Sequence, residues 1–225
     1  MSNAIWLIMY DIAAANEEAY LDWFHGVHIP EKLARPGYTW GAHYEVVGPD
    51  GAARLLNGDE AAGQRGFAAF FGGEDTRTFL DPSPAQIKPT QPPLTREMMG
   101  HRIGSQMLIA AEEWRATAQG GDGPSYANLN ITVSTVDGHD EDYGSWCIQT
   151  YLPHVSTKAG FEVAAKFLST TAPGKHVMVA SFATQADATA NRPETLKDAW
   201  SARVQDYQSY SSGVPLTLRC ISRSP

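Results

Sequence analysis

Hydrophobic positions along this chain change period in a fixed order, and that order is written twice. Ile5–Ile12 is dense in β-branched and large apolar residues, which predicts a strand, and Ala127–Val136 predicts its counterpart in the second half. Next, Tyr20, Trp23, Phe24 and Val27 recur at i, i+3, i+4 and i+7, the stripe of an amphipathic helix. Glu17 and Glu18 fall in its first turn, where the helix dipole favours acids. Pro30 and Pro36–Gly37 are expected to end the helix and turn the chain. Tyr38–Val47 and Phe161–Ser169 predict second strands, Phe67–Phe71 and Val177–Phe182 third strands, and Gln106–Ala111 and Leu216–Ser222 final strands. A second helix is expected over Pro193–Gln208, with Leu196, Ala199, Trp200, Val204 and Tyr207 on its apolar side. In the first half Pro82, Pro84, Pro89, Pro92 and Pro93 break the corresponding stretch, which predicts a long, partly irregular segment over Asp75–Arg102, a lid or an interface arm.

The two halves align by residue as well as by pattern. At one constant displacement Glu18 falls on Glu141, Tyr20 on Tyr143, Trp23 on Trp146, Pro30 on Pro153, Gly37 on Gly160 and Ala42 on Ala165. The order βαββαβ, written twice, places the chain in the α+β class as two tandem ferredoxin-like repeats, residues 1–117 and 126–225, joined by a Gly/Ser-rich linker over 118–125. One such unit leaves a sheet face bare, and two units packed sheet to sheet cover each other as an intramolecular dimeric α/β barrel. The same displacement sets Trp6, Ile8 and Tyr10 against Leu129, Ile131 and Val133, and these are expected to face the helices. The other face then carries Ile5, Leu7 and Met9 in one half but Asn128, Asn130 and Thr132 in the other. A wet or ligand-filled cavity accounts for polar residues there, and so does a solvent-exposed sheet face.

Composition narrows the function classes. A net charge of −8 gives no electrostatic case for nucleic acid or an anionic membrane surface. No apolar run is long enough to span a bilayer, and Met1–Asp11 lacks the basic start of a signal peptide, so a cytoplasmic protein is expected. Cys147 and Cys220 are too few for a disulfide framework or a cysteine zinc site. No glycine-rich phosphate loop and no Gly-x-Ser-x-Gly elbow occurs.

Trp23-Phe24-His25-Gly26-Val27-His28-Ile29-Pro30, followed by Pro36-Gly37-Tyr38, resembles the EthD-like branch of the dimeric α/β-barrel superfamily. There a helix-end His-x-Pro precedes a Pro-Gly-aromatic turn into the second strand. The second half departs from the motif, with Tyr151 in place of His28 and Ala159 in place of Pro36, which points to the N-terminal copy as the active one. The resemblance implies a menu that runs from cofactor-free monooxygenases, muconolactone isomerases and polyketide cyclases to haem proteins, and fold does not choose among them.

His28, helped by His25, is the candidate acid/base, because imidazole titrates near neutrality. The expected chemistry is a lyase, isomerase, cyclase or oxygenase step without an organic cofactor, on an apolar, aromatic or polyketide-like small molecule. Candidate substrate-binding residues are Tyr10, Trp40, His43, Tyr44, Asn128, Asn130 and Tyr151, with His43 facing oppositely to Tyr38, Trp40, Ala42 and Tyr44. A metal set of His25 and His28 with His43 or Asp22 is weaker, since the histidines are i, i+3, and no metal is expected. A non-catalytic ligand-binding barrel and a haem or metal enzyme are the rivals. Outer helices and exposed strand edges point to a homodimer.

Overall fold

Ala4–Ala13 (β1) carries the first apolar run in the computed structural model, which describes residues 3–48, 51–52, 63–119, 123–193 and 196–225. Two compact units divide the chain, residues 1–111 with 220–225 and residues 112–219. The expected linker at 118–125 lies partly outside the described residues, at 120–122, and the unit boundary falls inside a long strand instead.

Unit 1 runs β1, α1 (Ala14–Trp23), a π-helical turn (Phe24–His28), α2 (Ile29–Leu33), β2 (Tyr38–Gly48) and β3 (Gln64–Gly73). Short helices α3 (Arg77–Leu80), α4 (Pro84–Ile87) and α5 (Pro93–Gly100) follow, then β4 (Ile103–Thr117). β1 pairs antiparallel with β3 and β4, and β2 pairs antiparallel with β3. The resulting order β4-β1-β3-β2 is the ferredoxin-like arrangement. Trp6, Ile8, Tyr10, Phe67 and Phe71 pack the helix side of this sheet with Tyr20, Trp23, Phe24 and Ile29.

Unit 2 repeats the plan with β5 (Asn128–Thr135), α6 (Asp140–Trp146), a π turn (Cys147–Tyr151), α7 (Leu152–Ser156), β6 (Phe161–Ser169), β7 (His176–Phe182), α8 (Gln185–Ala190), α9 (Ala199–Tyr207) and β8 (Leu216–Ser224). β7 lies between β5 and β6, and β8 pairs on the far side of β5, so the order is the same. Of the expected helix Pro193–Gln208, residues 194 and 195 lie outside the described set and regular helix starts at Ala199. Among the described residues no helix is long and apolar enough to cross a membrane.

Three local expectations are corrected. Pro30 does not end the helix: the preceding turn widens to i→i+5 spacing, and Pro30, which lacks an N–H to donate, sits in the first turn of α2. Pro153 does the same in unit 2. The proline-rich stretch is also more regular than expected, since Pro84 and Pro93 each begin a short helix, where a missing N–H is harmless. Finally, the constant displacement fails at the first strand. Asn128, Asn130 and Thr132 pair with Phe182, Ala180 and Met178, which belong to the helix-facing core of unit 2. The turn at Asp137 and Gly138, both at positive φ, lengthens the connection to α6, and a one-residue slip exchanges the faces of a strand.

Candidate functional site

The π turn decides which side chain enters the core at the end of the first helix. A regular stripe continues from Phe24 to Val27, but the extra residue in the turn rotates the helix beyond it. Val27 is accordingly 39% exposed and His28 only 3%. The His28 ring lies between Trp23 (ring centroids 4.6 Å apart) and Phe24 (5.3 Å). One turn further on, Lys32 is 4% exposed, its ammonium 4.7 Å above the Trp6 ring.

Both face a cavity of about 340 Å³ on the helix side of the unit 1 sheet. Trp6 and Ile8 from β1 and Met107 from β4 form its apolar floor, and Pro84, Ile87 and Met99 from the short helices close it. Arg102 enters from the start of β4, with its guanidinium 4.5 Å from the Tyr10 ring centroid and Nε donating to the Tyr20 hydroxyl at 2.8 Å. The volume lies within the range of small-molecule sites.

Polar groups in the wall lack partners. Among the described residues His28 Nδ1, Arg102 Nη2 and Trp6 Nε1 are buried without a hydrogen bond, and no carboxylate lines the cavity. Burial above all, then the charges of Lys32, Arg102 and Arg35, pushes His28 down to about 2, so the imidazole is neutral. Burial likewise brings Lys32 down to about 7, aided by Arg35 and Arg102 and opposed by Glu31.

Tyr10, His25 and His43 assemble beside this cavity rather than in its wall. The Tyr10 hydroxyl is 2.9 Å from His43 Nε2, and His43 Nδ1 is 2.9 Å from His25 Nε2. Burial raises Tyr10 and keeps its phenol protonated, so a neutral phenol and two imidazoles form one hydrogen-bonded string. Burial also lowers His43 and, less, His25, which is partly exposed. These contacts occupy the two histidines with each other, apart from His28. Among the described residues no three His, Cys, Asp or Glu side chains converge on a metal position.

The other sequence candidates are placed elsewhere. Trp40 covers Gly72, where an added Cβ would meet the indole at 2.0 Å, with the Arg223 guanidinium 5.8 Å from the ring. Tyr44 packs edge-on against Phe70 at 5.4 Å, on the sheet face away from Tyr10. A bulge between Tyr38 and Trp40 separates these two side chains, so Tyr38 joins the helix-side core and not the face of Trp40 and Tyr44. Asn130 donates to the carbonyls of Ala188 and Asn191 (2.9 and 2.7 Å) and accepts from Thr217 at 2.8 Å. Asn128 donates to the carbonyls of Phe182 and Ala183. Both satisfy backbone within unit 2. Tyr151, the counterpart of His28, lies 5.3 Å from the Trp146 ring and lines a pocket of only about 30 Å³, room for water. Lys32 and Arg102 carry no sequence motif; the readable signal was the i, i+4 spacing from His28 to Lys32.

No family profile matches the chain, and no curated protein matches it. Solved structures do. An anthrone oxidase-like protein superposes with a TM-score of 0.67 at 10% identity, covering 100% of this chain and 95% of its own. A candidate monooxygenase of Fusobacterium nucleatum subsp. nucleatum ATCC 25586 gives 0.57 at 6% identity, covering 98% and 93%. A candidate monooxygenase of Lactobacillus acidophilus NCFM gives 0.54 at 8%, covering 99% and 96%. At such identities the likeness is one of fold. The chain shares their fold, that of the dimeric α/β barrels, with two ferredoxin-like units in one polypeptide.

Proposed function

We propose that this protein is a small-molecule enzyme of EthD-like type, needing no organic cofactor, with its active site in the unit 1 cavity. The observation that carries the reading is the buried, neutral His28 with an unpartnered Nδ1 facing a largely apolar cavity whose wall also holds Lys32 and Arg102. The name of one structural neighbour, an anthrone oxidase-like protein, supports an aromatic substrate, and those of two others, monooxygenases, support oxygenase chemistry.

The step this wall suits is removal of a proton from a carbon acidified by a neighbouring carbonyl or phenol. His28 Nδ1 takes the proton, and the unpartnered Arg102 N–H holds the oxygen on which negative charge develops, in a site where few waters compete. Lyase, isomerase, cyclase and oxygenase reactions can all begin this way. Burial is the main cause of the depression of His28; the negative charge that develops offsets the lesser contributions of Lys32, Arg102 and Arg35 and stabilises the imidazolium formed beside it. Tyr10, His43 and His25 lie behind Arg102 as a hydrogen-bonded string leading to a partly exposed imidazole.

Deuterium exchange at the activated carbon of anthrone, followed by NMR, tests this. Wild type should accelerate exchange, and His28→Ala should lower the rate by about 10²–10⁴-fold with the melting temperature nearly unchanged. A His28→Ala protein that stays folded and exchanges at the wild-type rate would remove His28 from the chemistry; one that unfolds would make it structural.

A further inference from the structure

We propose that the unit 1 cavity takes a ligand bearing an organic anion, a carboxylate or phenolate on an apolar ring system, and that Lys32 is its counter-ion. The inference rests on the reading of this cavity as the active site and adds the charge of what enters it.

Lys32 is almost wholly buried, and among the described residues its ammonium forms no ion pair. Buried charges are ordinarily paired, because an unpaired one forfeits its hydration. The contrast within the chain is direct. Lys166, buried in unit 2, is paired with Glu113, and Arg65 is shared between Glu17 and Glu45. Lys32 meets only the Trp6 ring and faces cationic neighbours in Arg35 and Arg102, with Lys88 also in the cavity wall. Glu31, its one acidic neighbour in charge, is exposed and not in the wall. An arrangement of cations around an apolar cavity, one Arg102 N–H and one His28 nitrogen unspent, lacks a negative partner, and the ligand supplies it. Trp6, Ile8, Met99 and Met107 supply the surface against which the rest of that ligand packs.

Binding of 2-naphthoate and its neutral methyl ester, measured by calorimetry and by fluorescence at Trp6 with Trp6→Phe as the control, decides the matter. The account expects the carboxylate to bind at least about tenfold tighter than the ester near neutral pH, the worth of one modest ion pair. Lys32→Met should abolish that preference while the ester still binds. Proton uptake should accompany binding of the carboxylate above pH 7, as the anion draws Lys32 back to its charged form. Equal or tighter binding of the ester, or a preference untouched by Lys32→Met, would overturn the anion inference and leave the active-site reading standing. Binding of neither compound at Trp6 would overturn both.

Discussion

Replacing Lys32 by Met should make the protein more stable. The methionine keeps the apolar stem and removes a buried ammonium that no described carboxylate pairs. The lysine falls from 10.5 in the unfolded chain to about 7 in the fold, and at about 1.4 kcal/mol per pH unit this corresponds to on the order of 5 kcal/mol. Between pH 7 and 10.5 the unfolded chain holds the proton and the folded one releases it. Wild-type stability therefore rises with pH through that window and is level, with respect to this group, below about pH 7. Loss of the cation–π contact with Trp6 returns about 1–2 kcal/mol, so Lys32→Met should gain about 3–4 kcal/mol at pH 7. The gain should fall close to zero by pH 10.5, where the wild-type lysine is neutral in the fold and half neutral in the unfolded chain. Urea unfolding followed by tryptophan fluorescence at pH 7, 8.5 and 10 reads it directly. A Lys32→Met protein no more stable than wild type at pH 7, or one whose advantage persists at pH 10, would refute the claim that the cavity wall is electrostatically unpaired.

Two further outcomes follow from the same structure. Asn130→Ala should cost about 2–4 kcal/mol, because it leaves the carbonyls of Ala188 and Asn191 without their buried donor; a loss below about 0.5 kcal/mol in thermal or urea unfolding would show those bonds to be dispensable. The purified protein should have no Soret band and no stoichiometric metal by elemental analysis; a Soret band lost in His28→Ala would reassign His28 to haem ligation.

Much of the fold was legible because it is encoded twice. Trp, Pro and Gly at matching positions announced the repeat, and the period changes announced βαββαβ in each half. What escaped were shifts of one residue. The π turn rotates His28 inward in place of Val27, and no apolar period shows where a helix will widen. The extended turn at Asp137–Gly138 reverses the faces of β5, which turned Asn128 and Asn130 from an expected cavity wall into donors for backbone carbonyls. Trp40 and Tyr44, read as substrate-binding candidates, pack on the strand against Gly72 and Phe70 and do not line the unit 1 cavity. Lys32 and Arg102 were missed for a different reason. An isolated basic residue reads as solvated surface unless the chain around it says otherwise, and the short helices that close the cavity beside them come from the proline-rich stretch, where no helix was foreseen. The divergence between halves was visible in advance as His28 against Tyr151. The structure gives it a physical meaning, a cavity of about 340 Å³ in unit 1 and a pocket of about 30 Å³ in unit 2.

A crystal structure of the protein soaked with 2-naphthoate tests the central claim most directly. The account predicts one ligand per chain in the unit 1 cavity, its ring over Trp6 and Met107, its carboxylate within about 3 Å of Lys32 Nζ or Arg102 Nη2, and its ring edge beside His28. A ligand bound elsewhere, with this cavity left empty, would contradict it.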